Sequence, residues 1–172
     1  MVCVYWITGL SGAGKTSVGI LLYEKMKQKY SNTVFLDGDV LREVFGNDLG
    51  YTREERIKCA MRYARLCKML LEQDLNVICC TISMFDEVRS WNRENISSYR
   101  EIYVRVSMEV LTRRNQKGLY SSSAKCSQEG IGQVAGIHVD IEEPKDPDIV
   151  LDNEGNVGVS VLVDRIIEKF GI

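Results

Sequence analysis

Apolar residues run almost unbroken through Val2–Ile7 and Val77–Ile82, and shorter apolar runs recur at Val34–Leu36, Ile102–Val106 and Ile149–Leu151. A half-exposed strand would alternate apolar and polar positions, so continuous runs fit strands covered on both faces. Between the runs, apolar residues return at helical spacing. The pattern predicts helices over Lys15–Tyr30, Arg53–Glu72, Asp86–Ser97, Met108–Asn115 and Val157–Phe170. Strands joined by connections long enough for crossover helices form parallel sheets. The expected architecture is therefore α/β, a five-stranded parallel sheet with helices on both faces, and Val77–Ile82 is expected at its centre.

The helix beginning near Arg53 carries the clearest local signals. Thr52 and Glu55 have the T-x-x-E spacing of a capping box, and Ile57, Ala60, Met61, Ala64, Cys67 and Leu71 form one apolar face. The opposite face holds Arg53, Arg56, Lys58, Arg62, Arg65 and Lys68, a pattern that ordinarily means solvated charge. Arg56 stands apart. A cation in the first helical turn opposes the macrodipole, so it is either balanced by Glu54 and Glu55 or held for an anionic ligand. From about Asn115 to Pro147 periodicity disappears over a stretch too long for an ordinary connector. Two readings are open there: a lid that closes over a ligand, or a loose surface loop.

Composition narrows the class. With 172 residues, 45% hydrophobic content and two prolines, a single domain spanning residues 1–172, with its lid at about 115–147, is expected. A net charge of −2 gives no reason to expect nucleic acid or an anionic membrane as partner. No apolar run reaches membrane-spanning length and no basic leader precedes the first strand, which is the pattern of a cytoplasmic protein. Six cysteines contain no C-x-x-C pair and His138 is the single histidine, so reduced thiols rather than a zinc site are expected.

The chemistry enters at Gly9-Leu10-Ser11-Gly12-Ala13-Gly14-Lys15-Thr16, which follows the first strand and satisfies G-x-x-x-x-G-K-[ST]. This is the signature of the P-loop NTPase fold. Glycines let backbone amides approach phosphate oxygens, lysine reaches the β- and γ-phosphates, and the threonine hydroxyl serves Mg²⁺. Gly9, Ser11, Gly12, Ala13, Gly14, Lys15, Thr16 and Ser17 are the expected ATP cradle, with ATP and Mg²⁺ as cofactors.

Ligands of open parallel sheets collect beyond the carboxyl ends of the strands. The second strand ends in Asp37-Gly38-Asp39. One carboxylate suits Mg²⁺ and the other suits an acceptor hydroxyl, the two tasks a phosphate loop leaves undone. The competing reading is a turn in which Asp39 caps the helix through Phe45. Arg42 and Arg56 supply guanidinium forks that match tetrahedral anions. Ser83, after the third strand, is placed to contact substrate, cap a helix or carry a phosphoryl group.

These segments together resemble adenylylsulfate kinases, which phosphorylate the ribose 3′-hydroxyl of adenosine 5′-phosphosulfate. The likeness rests on Gly9–Thr16, Leu36-Asp37-Gly38-Asp39 with Arg42, Gly50–Arg56, Thr81-Ile82-Ser83, Trp91–Asn95, Lys117-Gly118-Leu119-Tyr120 and Glu143-Pro144. The resemblance implies catalytic roles for Lys15, Asp37, Asp39 and Ser83, and Mg²⁺ binding by Thr16 and Asp37. It implies an ATP-side group of Arg114, Lys117, Gly118 and Leu119. It assigns acceptor binding to Asp39, Arg42, Tyr51, Arg56, Cys59, Ile82, Ser83 and Val134, and it suggests a homodimer.

Four positions depart from the family pattern. R-x-x-N becomes Arg56-Ile57-Lys58-Cys59, I-S-P-[YF] becomes Ile82-Ser83-Met84-Phe85, basic lid residues become Ser121-Ser122-Ser123, and F-T-G becomes Val134-Ala135-Gly136. All fall on the acceptor side or the lid. Adenosine phosphosulfate is the first acceptor expected. A pyrimidine nucleotide such as cytidine diphosphoramidate, the substrate of similar kinases in capsule decoration, is the alternative. A nucleotide-binding module without turnover is a third reading, against which the intact Lys15, Thr16, Asp37 and Asp39 argue.

Overall fold

A computed structural model describes residues 2–114 and 135–172. Five parallel strands, β1 (Val4–Thr8), β2 (Thr33–Asp37), β3 (Asn76–Thr81), β4 (Tyr99–Arg105) and β5 (Ile149–Asp152), form one sheet in the order β2-β3-β1-β4-β5. The helices are α1 (Lys15–Lys29), α2 (Gly38–Val44), α3 (Arg53–Leu71), α4 (Asp86–Asn95), α5 (Met108–Arg114) and α6 (Val159–Phe170). The expected α/β architecture, a five-stranded parallel sheet with helices on both faces, holds. Its centre is corrected, because β1 lies in the middle and β3 beside it. Both strands are completely buried, so an unbroken apolar run marks an interior strand without saying which one.

Alternation along β1 builds a core on each face. Tyr5 and Ile7 join the cluster beneath α1, α5 and α6, while Val4 and Trp6 join the cluster beneath α3 and α4. Trp6, Ile7, Leu22, Ile78, Phe85 and Ile102 are almost wholly shielded. Each such side chain contributes about 1.5–3 kcal/mol of transfer free energy. The five cysteines among the described residues are free and buried, acting as small apolar groups.

Strand β4 begins three residues before the expected Ile102, at Tyr99. Arg100 and Glu101 interrupt the apolar run, yet Glu101 is buried and receives Arg93 at 2.8 Å and Arg89 at 3.5 Å. Burial pushes its carboxyl above the usual range against the pull of both guanidinium groups. The register aligns Thr8 with Thr81 and with Tyr103, and Asp37 with Cys80, so the carboxyl ends meet on one edge. The chain winds from β1 through β2 to β3 on one side, then crosses to β4 on the other. That reversal opens a crevice above β1, where the phosphate loop lies. No helix among the described residues is long and apolar enough to cross a membrane.

Candidate active site

The loop after β1 turns into α1 at Gly14, which has φ 95° and provides no side-chain cap. The first helical amides are thereby left for an anion. Glycine is required by space as well as by backbone angle. A Cβ on Gly14 would lie 2.6 Å from Asn153 Nδ2, and one on Gly9 would run into the Val104 carbonyl. Asn153 donates to the Ala13 carbonyl at 2.8 Å. Arg114 donates to the carbonyls of Asn153 at 2.7 Å and Gly12 at 3.3 Å. The ends of β5 and α5 thus brace the loop from behind. Lys15 is buried and donates from Nζ to the Leu10 carbonyl at 2.7 Å, which folds its ammonium over the loop. Ser11 and Gly12 are half-buried, and Thr16 and Ser17 are exposed on the first turn of α1.

Asp37 closes β2 and caps α2. Its Oδ1 accepts from the Asp39 amide at 2.9 Å, and its Oδ2 accepts from Thr16 Oγ1 at 2.9 Å. The alternative in which Asp39 caps this helix is therefore corrected. Asp37 has extended backbone angles, φ −107° and ψ 132°, whereas Asp39 already lies in the first turn, exposed at the cleft. A hydroxyl and a carboxylate in contact are hard oxygen donors, which fits Mg²⁺ that keeps phosphate and water as its other ligands.

The acceptor-side cations gather around Tyr51. Arg42 donates to the Leu49 and Gly50 carbonyls at 2.8 and 3.0 Å, and its guanidinium lies 4.3 Å from the Tyr51 ring centre. Arg56 Nε donates to the Tyr51 carbonyl at 3.0 Å, with its guanidinium 5.2 Å from the same ring. Burial, and then the charge of Arg42, pull Arg56 below its ordinary value. Two crowded guanidinium groups are a site whose charge an anion would offset.

Cys59 is buried, and its thiol donates to the Tyr63 hydroxyl at 2.9 Å. Ile82 is half-buried, while Ser83 is fully buried with its hydroxyl 3.0 Å from that of Thr81. Lys117, Gly118, Leu119 and Val134 lie outside the described residues. Thr16 and Asp37 are thus in direct contact, Arg42, Tyr51 and Arg56 form a second cluster, and Ser83 is enclosed at the end of β3.

The described end of the expected lid is packed. Ala135 and Val139 bridge and are buried, and a Cβ on Gly136 would lie 2.9 Å from Leu10 of the phosphate loop. Glu142 accepts from the Asp86 amide at 2.8 Å, capping α4 from a distance, and receives Arg53 at 3.1 Å. Arg53 therefore belongs to a buttress rather than to a solvated stripe. Asn153, Tyr63 and Glu142 are the residues sequence reasoning missed. Asn153 had a signal, since it directly follows a strand, the rule that found Asp37 and Ser83.

Residues 1–152 match the family model described as adenylylsulphate kinase. A cytidine diphosphoramidate kinase from Campylobacter jejuni is 40% identical over 169 residues, covering 98% of this chain and 96% of the relative. An adenylyl-sulfate kinase from Halothermothrix orenii is 38% identical over 146 residues, covering 85% of this chain and 77% of that one. Among solved structures, the Mycobacterium tuberculosis APS kinase in complex with AMPPNP and APS superposes with a TM-score of 0.87 at 26% identity, covering 99% of this chain and 98% of the other.

Proposed function

The chain belongs to the adenylylsulphate kinase family, and from that premise we propose that it transfers the γ-phosphate of ATP to the ribose 3′-hydroxyl of an anionic nucleotide. The observation that carries this reading is the two-sided cleft. A phosphate loop with its Thr16–Asp37 contact lies on one side, and the Arg42–Tyr51–Arg56 cluster lies on the other. Lys15 and the loop amides hold the triphosphate. Thr16 and Asp37 would hold Mg²⁺, which would supply charge neutralisation at the phosphates. Asp39, exposed on the first turn of α2, orients the acceptor hydroxyl and receives its proton. Arg42 and Arg56 fix the acceptor's anionic group while its base rests on Tyr51. The use of ATP as donor supports a cytoplasmic location.

For the acceptor we favour cytidine diphosphoramidate. Support comes from the full-length match to the Campylobacter relative and from Cys59, which occupies the family's amide position with a thiol turned to Tyr63. Adenosine phosphosulfate is the second reading, favoured by the intact Arg42, Tyr51 and Arg56. Coupled ATPase assays with each nucleotide, confirmed by mass spectrometry of the product, separate them. We expect kcat/KM to be at least ~10-fold higher for the cytidine compound, a difference of about 1.4 kcal/mol in transition-state binding. The reverse preference restores adenosine phosphosulfate. No phosphorylated product from either would overturn the kinase assignment and leave a nucleotide-binding module.

A further inference from the structure

Behind the carboxylate pair, a chain of two hydrogen bonds links α3 to α2. The Gly38 carbonyl can only accept, so the Tyr63 hydroxyl donates to it, at 3.0 Å. The phenolic oxygen then accepts from the Cys59 thiol at 2.9 Å. Gly38 lies between Asp37 and Asp39, and on its other side the sheet is close. A Cβ there would lie 3.2 Å from the Cys80 carbonyl and 3.3 Å from Thr81 Oγ1. The Asp37-Gly38-Asp39 turn is thus wedged between the end of β3 and the tip of Tyr63. Tyr63 is itself held. It is buried, and its ring stacks on Phe45 at 6.1 Å between centres and 19° between planes. Burial, and then the bond from Cys59, push its phenol above the ordinary value, so it stays a neutral donor.

We infer that Tyr63 is a positioning residue for the carboxylate pair, holding the Asp37-Gly38-Asp39 turn through the Gly38 carbonyl with its hydroxyl oriented by Cys59. This rests on the kinase reading above and deepens it. The same α3 carries Arg56 about two turns before Tyr63, and Arg56 donates to the Tyr51 carbonyl. One helix therefore sets both the acceptor clamp and the carboxylates. The inference also gives Cys59 a function through Tyr63 rather than through contact with the nucleotide.

Tyr63→Phe tests it, because the ring and its stacking remain and only the hydroxyl is lost. The first readout is the Mg²⁺ concentration giving half-maximal binding of a fluorescent ATP analogue, which needs no acceptor. The second is kcat with whichever nucleotide the wild type phosphorylates. Removing the bond should raise the Mg²⁺ midpoint severalfold and lower kcat roughly tenfold, with the acceptor KM changed less than twofold. Cys59→Ala should shift the midpoint in the same direction, and Cys59→Ser, which retains a donor, should shift it less. The double variant Cys59→Ala/Tyr63→Phe should be no worse than Tyr63→Phe alone, because both act through one bond. An unchanged Mg²⁺ midpoint in Tyr63→Phe overturns the inference, as do additive effects of the two substitutions. If Tyr63→Phe fails to fold, an equal midpoint in Cys59→Ala and Cys59→Ser overturns it instead. Absence of acceptor turnover in the wild type would sink the proposed function while leaving the Mg²⁺ titration to decide the role of Tyr63.

Discussion

Asp37 uses each oxygen of one carboxylate for a different partner: the amide of Asp39 and the hydroxyl of Thr16. Asparagine can still cap a helix, so Asp37→Asn removes charge while leaving α2 its N-terminal hydrogen bond. Turnover should fall at least ~10-fold with ATP affinity at saturating Mg²⁺ nearly unchanged, measured by steady-state kinetics beside equilibrium nucleotide binding. Equal turnover would remove Asp37 from the mechanism. The sequence exposed this residue because it ends a strand beside a motif. It hid Tyr63, whose position on α3 reads as one more apolar residue until the Gly38 carbonyl is brought beneath it.

At the scale of elements, α3 shows how far local chemistry reaches. The capping box is present, with Thr52 Oγ1 accepting the Glu55 amide at 3.3 Å and Glu55 Oε2 accepting the Thr52 amide at 3.2 Å. The bonds from Thr52, the side-chain hydroxyl first, hold the Glu55 carboxyl below its usual range. A depressed carboxyl stabilises the folded state above the ordinary carboxylate value and loses that contribution as pH falls through the folded value. Thr52→Ala removes the cap and should therefore lower the melting temperature near pH 7. Its deficit in melting temperature relative to wild type should narrow below the ordinary carboxylate range, as seen in thermal melts across pH. A deficit that does not change with pH would show that Glu55 titration plays no part. The first residues of β4 mark the opposite limit. Glu101 looks like a break in a strand, and only Arg89 and Arg93 arriving from α4 make its burial tolerable.

Across the whole molecule, the stretch from Ala135 to Asp148 is fastened to distant elements. Glu142 caps α4 and holds Arg53, Lys145 pairs with Asp86 at 3.4 Å, and Asp148 accepts the Glu101 amide at 2.8 Å. Glu142→Ala removes a helix cap and an ion pair together. It should lower the melting temperature by ~2–4 °C, from a loss of about 1 kcal/mol, and speed amide exchange across residues 135–148. Unchanged exchange there would mean that apolar packing of Ala135 and Val139 alone fixes the segment.

The sequence by itself determined the α/β class, the order of strands and helices, the phosphate loop, the capping box and the carboxylate pair. Each depends on residues within one or two turns of one another, where periodicity, backbone freedom and side-chain reach act locally. Only the tertiary structure decided that β1 is central, that Asp37 rather than Asp39 caps α2, and that Asn153 braces the phosphate loop. Tyr63 beneath Gly38 and Glu142 on the end of α4 belong with these. Such contacts join groups 25, 56 or 140 residues apart. A hydrogen bond between them exists only after burial of the two apolar faces of the sheet has brought those elements together, and linear spacing carries no record of that distance.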